Sequence, residues 1–248
     1  MPKATRKPSP PPQMQFTYPL PYGAILRDGG VQFVVYSKSA TAMRVLLYNR
    51  VTDRDPVRLV EMNPQTDRWG DIWSVFVPGL KPGTLYHFQC DGPFEPAKGQ
   101  RFNSQARLLD PYARALAGRF MSSEDGVIRP PKCVAVDDAF DWQGDRHLRR
   151  PLSETIIYEM HVRGFTRSPS SETEEPGTYA GIVEKIPYLK SLGVTAVELM
   201  PVNEFPVEEP DGTKPVRPYY WGYDPMAFFS PHRGYMTGNK PGDQVRQF

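Results

Sequence analysis

The densest group of chemically useful side chains is Tyr219, Tyr220, Trp221 and Tyr223, four aromatic rings within five positions. Such rings offer flat apolar faces for stacking, and the tyrosines add hydroxyls that orient whatever stacks on them. Shortly after come His232 and Arg233 in Ser-Pro-His-Arg-Gly-Tyr, placed either to contact a ligand or to fix a loop. Acid–base chemistry would need carboxylates. Glu159 and Glu198 lie inside apolar runs and read as interior polar contacts or as substitutions on a helix-facing position of a strand, Glu204 follows such a run without an identified partner, and Asp224 reads as a turn or strand-start cap. His161, followed by Arg163, reads as a satisfied core histidine with a neighbouring ion pair, not as a metal ligand or general base. Cys90 and Cys133 have no His or Cys beside them at ligand spacing and read as free thiols of a reducing compartment, so no metal site is expected.

The elements that must position these groups change along the chain. Residues 1–21 contain seven prolines with Lys3, Arg6 and Lys7 and no acid, and read as an extended, disordered tail. Short β-branched and aromatic runs then follow, Val31–Tyr36, Met43–Tyr48, Val57–Met62, Ile72–Val77 and Thr84–Cys90, each closed by turn formers such as Asp28-Gly29-Gly30 or Pro78-Gly79-Leu80-Lys81-Pro82-Gly83. Over residues 22–100 they predict a small β-sandwich. In the last run Tyr86, Phe88 and Cys90 alternate with Leu85, His87 and Gln89, as in a half-buried antiparallel strand. Residues 101–153 read as a connector with one helical turn near Tyr112–Leu116, anchored by Phe140 and Trp142.

From residue 154 to 248 the periodicity is that of parallel α/β structure. Thr155–Val162 and Thr195–Val202 are nearly continuous in apolar residues, as strands covered on both faces are. Between them a helix is expected from Thr178, with Ile182, Ile186 and Leu189 on one face and Gly193 as its left-handed cap. Pro187 inside that pattern predicts a kink or restart, or equally two short helices meeting at Lys185–Pro187.

Composition excludes several classes. Thirty basic against 28 acidic residues leave a net charge of +2, too little to hold a polyanion, so neither nucleic acid nor an acidic membrane surface is expected as partner. Twenty-eight prolines, about twice the usual ~5%, argue against an all-helical fold. No apolar run reaches the ~20 residues of a membrane span or the form of a signal peptide, and a cytoplasmic protein of unknown oligomeric state is expected.

Four ordered blocks, Ile156–Thr166 (IIYEMHVRGFT), Gly177–Gly193 (GTYAGIVEKIPYLKSLG), Val194–Val202 (VTAVELMPV) and Tyr219–Tyr235 (YYWGYDPMAFFSPHRGY), resemble the opening of the catalytic barrel of the α-amylase superfamily, in its isoamylase and bacterial glycogen-debranching branch. Tyr22-Gly23-Ala24 and Trp73…Pro78-Gly79-Leu80…Tyr86 are similar to the glycogen-binding-type sandwich that precedes it. The resemblance implies a multidomain β plus α/β architecture, an immunoglobulin-like sandwich followed by the first strands and helix of a truncated (β/α)8 barrel. It implies a retaining hydrolase of α-1,6 branches in glycogen or limit dextrins, with an α-glucan as partner and no cofactor.

Such chemistry uses two carboxylates about 5–5.5 Å apart, carried in this family on later strands, after an Asp-Val-Val-x-Asn-His type motif that does not occur here. The 94 residues after Glu154 hold about two of eight strands, against ~250 residues for a complete barrel, so a catalytically silent fragment is expected. By resemblance Tyr223 is the platform under the glucose whose bond is cut, with Tyr220 and Trp221 beside it and His232 a further substrate contact. Trp69 is the candidate glucan contact of the sandwich, whereas Trp73 reads as core. At position 203, often His in the family, the residue is Asn203. Alternatives are a branching enzyme or trehalose-releasing hydrolase of the same superfamily, and a non-catalytic glucan-binding protein.

Overall fold

A computed structural model describes residues 21–121, 129–137, 139–207 and 219–248. Apart from Pro21, the proline-rich leader lies outside the described residues. Seven strands follow: β1 (Gly23–Arg27), β2 (Gly30–Tyr36), β3 (Ala42–Tyr48), β4 (Arg58–Met62), β5 (Arg68–Trp69), β6 (Ile72–Pro78) and β7 (Leu85–Asp91). β1 and β2 are joined by the two-residue turn Asp28-Gly29, whose Gly29 has φ +81°, where a side chain would strain the backbone. A small hairpin, β8 (Phe94–Glu95) with β9 (Gln100–Arg101), precedes β10 (Leu116–Ala117) and β11 (Lys132–Val134).

Two sheets form, β1-β2-β6-β5 and β10-β11-β7-β3-β4. Period-2 alternation turns Val31, Phe33 and Val35 of β2 and Trp73 and Val77 of β6 onto Met43, Val45, Leu47, Tyr86, Phe88 and Cys90 of the facing sheet. Phe33 meets the ring of Tyr86 at 5.0 Å and that of Phe88 at 6.5 Å, both edge to face. Each large apolar side chain buried here contributes roughly 1.5–3 kcal/mol.

Four sequence expectations need correction in this region. β7 is not half-buried: its second face, Leu85 and His87, is covered as well, because β7 is central and a second cluster of Leu46, Tyr48, Ala115, Ala117 and Val134 closes over it. Much of the segment read as a connector belongs to the sandwich, since β11 pairs with β7 and β10 with β11. In place of a helical turn at Tyr112–Leu116, the Asp110 carboxylate accepts the Tyr112 N–H at 2.8 Å and the chain runs into β10. Phe140 and Trp142 pack edge to face on one another but remain 52% and 67% exposed, so they anchor nothing.

The second part is built on β12 (Ile157–Met160) and β13 (Ala196–Leu199), parallel and in register from Ile157↔Ala196 to Met160↔Leu199. Between them run α1 (Val162–Thr166), α2 (Tyr179–Glu184) and α3 (Ile186–Ser191). Thr178 caps α2 by accepting the Gly181 N–H, and Pro187 falls in the first turn of α3, where its missing N–H costs nothing. Two short helices therefore meet at Lys185, one of the two arrangements the sequence allowed. The apolar strand residues are not covered on both faces as expected: Ile156, Ile157, Tyr158 and Val197 are exposed, because among the described residues β12 and β13 form a two-stranded sheet.

β14 (Asn203–Glu204) and β15 (Ala227–Pro231) form an antiparallel pair with a register shift, and α4 (Asp243–Gln247) closes the chain. These elements dock on the sandwich. Ala227 joins the sandwich core, Phe229 stacks on Tyr112 at 5.4 Å, and the buried Gln244 amide donates to the Leu116 carbonyl. Among the described residues no helix is long and apolar enough to cross a membrane.

Candidate functional site

A cavity of about 450 Å³ opens beyond the C-terminal ends of β12 and β13, where barrel enzymes place their chemistry. Its walls come from α1 (Arg163), the segment after β14 (Phe205, Val207), the aromatic cluster (Tyr219, Tyr220) and the turn after β15 (His232 to Tyr235). A larger depression between the Asp28–Gly30 and Gly79–Pro82 turns of the sandwich carries no aromatic ring.

His161, the residue after β12, organises the aromatic wall. Its Nδ1 accepts the Gly164 N–H at 3.1 Å and so caps α1, which leaves the proton on Nε2. Nε2 then donates to the Tyr220 carbonyl at 2.8 Å and lies 3.2 Å from the Tyr235 hydroxyl. The imidazole also stacks on the Tyr220 ring, 4.0 Å between centroids and 8° from parallel. As the sequence suggested, it is a satisfied core histidine. The expected neighbouring ion pair is replaced by a bond from Arg163 to the Gly234 carbonyl.

The polar wall is fixed by Glu204, wholly buried at the end of β14. Its Oε2 accepts the Arg233 backbone N–H at 2.8 Å, while Oε1 stands 3.4 Å from Arg233 Nε and 3.7 Å from His232 Nδ1. His232 is pinned on three sides: its N–H donates to Val202, its carbonyl accepts the Tyr179 hydroxyl, and its ring stacks on Phe205 at 3.9 Å. Burial pushes the Glu204 carboxyl up to about 7 against the pull of the Arg233 charge and N–H. Burial also pushes His232 down to about 3, helped by the nearby Arg233, Arg163 and His161, so a neutral imidazole faces the carboxyl group and Arg233 supplies the countercharge.

Of the five residues singled out as substrate contacts, Tyr220 and His232 line this cavity. Trp221 stands edge-on to Tyr220 at 5.2 Å, half exposed beside it. Tyr223 is 62% exposed outside the lining, with its N–H donated to the Tyr219 hydroxyl. Trp69 lies on the edge strand β5 of the sandwich. Glu204, without an identified partner in sequence, has Arg233; Asn203 ties the loop by donating to the Phe228 carbonyl; Asp224 sits in an exposed bend. Glu159 and Glu198 are exposed and opposite one another on β12 and β13. Phe205 and Tyr235 were not foreseen as cavity walls. Their only sequence signal is adjacency to Glu204 and to His232-Arg233. No described group of three His, Cys, Asp or Glu is arranged to hold a metal ion.

A sandwich docked on a parallel βαβ unit, with an aromatic cavity at the strand ends, places the chain among proteins that join an accessory β-domain to a (β/α)8 catalytic barrel. Residues 21–113 match carbohydrate-binding module 48, the isoamylase N-terminal domain, and residues 138–239 match the alpha amylase catalytic domain. The two matched models together describe the isoamylase arrangement within the α-amylase superfamily, and the chain is similar to isoamylases and glycogen debranching enzymes along most of its length. It is 38% identical to chloroplastic isoamylase 1 of Arabidopsis thaliana over 93% of this chain and 31% of that protein. It is 37% identical to the glycogen debranching enzyme of Yersinia enterocolitica over 92% of this chain and 36% of that protein. Among solved structures, GBS pullulanase SAP in complex with maltotetraose superposes with a TM-score of 0.73 at 26% identity, over 93% of this chain and 31% of that one. The chain thus spans about a third of the length of the curated relatives it matches.

Proposed function

We propose that this chain supplies the sandwich and the first, glucan-binding part of the active site of a debranching hydrolase acting on α-1,6 branches of glycogen or limit dextrins. The observation that carries this reading is the aromatic cavity at the C-terminal ends of β12 and β13. Tyr219 and Tyr220 present ring faces suited to the C–H faces of a sugar, and the guanidinium groups of Arg163 and Arg233 stand beside them as donors for its hydroxyls. Among the described residues no carboxylate lines the cavity, and Glu204 behind it is tied to Arg233. A retaining hydrolysis needs two carboxylates about 5–5.5 Å apart, so these side chains bind and orient the glucan and leave bond cleavage to others. A cytoplasmic setting belongs to the same proposal.

Titration calorimetry with maltotetraose tests it. Saturable binding is expected, weakened by Tyr220→Ala and unchanged by Trp69→Ala. Absence of saturable binding, or sensitivity to Trp69 alone, would overturn the assignment of this cavity.

A further inference from the structure

We infer that Glu204 is a positioning residue, whose ionised carboxylate holds the turn after β15 so that Arg233 presents its guanidinium to a glucan hydroxyl in the cavity. This deepens the reading above and rests on it.

Glu204 never reaches the cavity itself, being fully buried, yet the polar groups of the turn after β15, Arg233 and His232, meet it there. It takes the N–H of Arg233, stands beside Arg233 Nε, and faces His232 Nδ1. Three polar atoms of this cluster, Glu204 Oε1, His232 Nδ1 and Arg233 Nη1, are buried without a hydrogen-bond partner. Buried donors and acceptors of this kind are costly, so the cluster depends on the charge attraction between Glu204 and Arg233 that holds it together. Arg233 and His232 both line the cavity, and the Arg233 side chain keeps 20% of its surface exposed, so a sugar hydroxyl entering the cavity meets the exposed part of that guanidinium side chain.

The clamp depends on charge. A carboxylate attracts the guanidinium as an ion pair and holds the N–H by a charge-assisted bond, whereas a neutral carboxyl group loses the ionic part of both. The groups that face Glu204 are Arg233, His232 and Tyr235 from the turn and Tyr179 from α2, with Arg163 and His161 bearing on His232 from the end of β12 and α1. Burial raises Tyr179 and Tyr235 and lowers His232, which keeps these three neutral. The Glu204 carboxyl, raised by burial to about 7, changes charge near neutrality.

The test is maltotetraose affinity between pH 5.5 and 8.5 for the unaltered chain, Glu204→Gln and Glu204→Asp, with melting temperatures in parallel. The unaltered chain is expected to bind about tenfold more weakly at pH 5.5 than at pH 8.5. Glu204→Gln should bind weakly at every pH, and Glu204→Asp should recover the pH dependence. A Gln variant that melts earlier but keeps the original affinity and pH profile overturns the inference and leaves the cavity assignment standing. No binding by the unaltered chain overturns both. Should the Gln variant fail to fold, the Arg233 amide proton of the unaltered chain serves: it should shift with pH near 7 and again on adding maltotetraose, and indifference to maltotetraose overturns the inference.

Discussion

Gly164→Ala is the most economical way to ask whether Tyr220 is held where the cavity needs it. Gly164 lies inside α1 with no positive φ, so alanine meets no backbone penalty and should favour the helix by about 1 kcal/mol. Its new Cβ, however, would stand 2.5 Å from the Tyr220 hydroxyl, which must retreat by about 1 Å to reach ordinary contact. The ring has little freedom to do so, because it is stacked on His161 while its carbonyl accepts from His161 Nε2. Overpacking of this kind costs about 1–3 kcal/mol, which offsets or exceeds the helical gain and predicts a net loss of about 0–2 kcal/mol. Losing the stacking face should cost binding about 0.5–1.5 kcal/mol, a two- to twelvefold weaker maltotetraose affinity by calorimetry. Gly164→Ala with Tyr220→Phe removes the colliding oxygen, and stability should return to or above the original value. A Gly164→Ala chain that melts higher and binds undiminished would refute the placement of Tyr220 against α1.

Three further outcomes are expected. The 248-residue chain should release no reducing sugar from glycogen, pullulan or amylopectin, and activity that follows the chain through successive purifications would overturn this. Asp110 accepts the Tyr86 hydroxyl at 2.6 Å, and burial raises its carboxyl to about 6. Its folded state thus binds the proton more tightly than the unfolded one, so stability is fullest below about pH 4 and falls by roughly 3 kcal/mol as pH rises towards 6; urea unfolding should lose that slope in Asp110→Asn. Lys132, fully buried, donates to the Val51 and Asp53 carbonyls above the Tyr48 ring, and Lys132→Met should cost about 2–4 kcal/mol by stranding both acceptors, so an unchanged melting temperature would contradict the arrangement.

The sandwich was legible wherever apolar residues alternate. Val31, Phe33 and Val35 on β2, or Tyr86, Phe88 and Cys90 on β7, announce a buried face by period alone. β10 and β11 were not, because two or three residues are too few to show a period, and Lys132 reads as a surface charge until the two carbonyls and the ring that hold it are in place. That also explains the boundary: a segment rich in Pro, Gly and Asp looks like a linker, although the side chains that matter, Ala113, Ala115, Ala117 and Ala135, are small and buried. In the α/β part the parallel pair was readable from its unbroken apolar runs, while their exposure was not, since burial depends on which elements surround them.

The site was half legible for a related reason. A cluster of four aromatic residues signals a binding wall locally, but Glu204 and Arg233 are 29 positions apart and His161 and Tyr235 are 74, so neither pairing leaves a local pattern. Even inside the cluster, sequence could not rank the rings. Gly222, at φ +80° and packed against Phe205, turns the backbone between Trp221 and Tyr223. Tyr220 before the turn is stacked on His161 in the cavity wall; Tyr223 after it is exposed, its N–H held by the Tyr219 hydroxyl. Any residue but glycine at 222 would strain that backbone and press on Phe205, and through Phe205 on His232. The one residue in the stretch without a side chain therefore decides which aromatic ring lines the cavity and which one stays outside it.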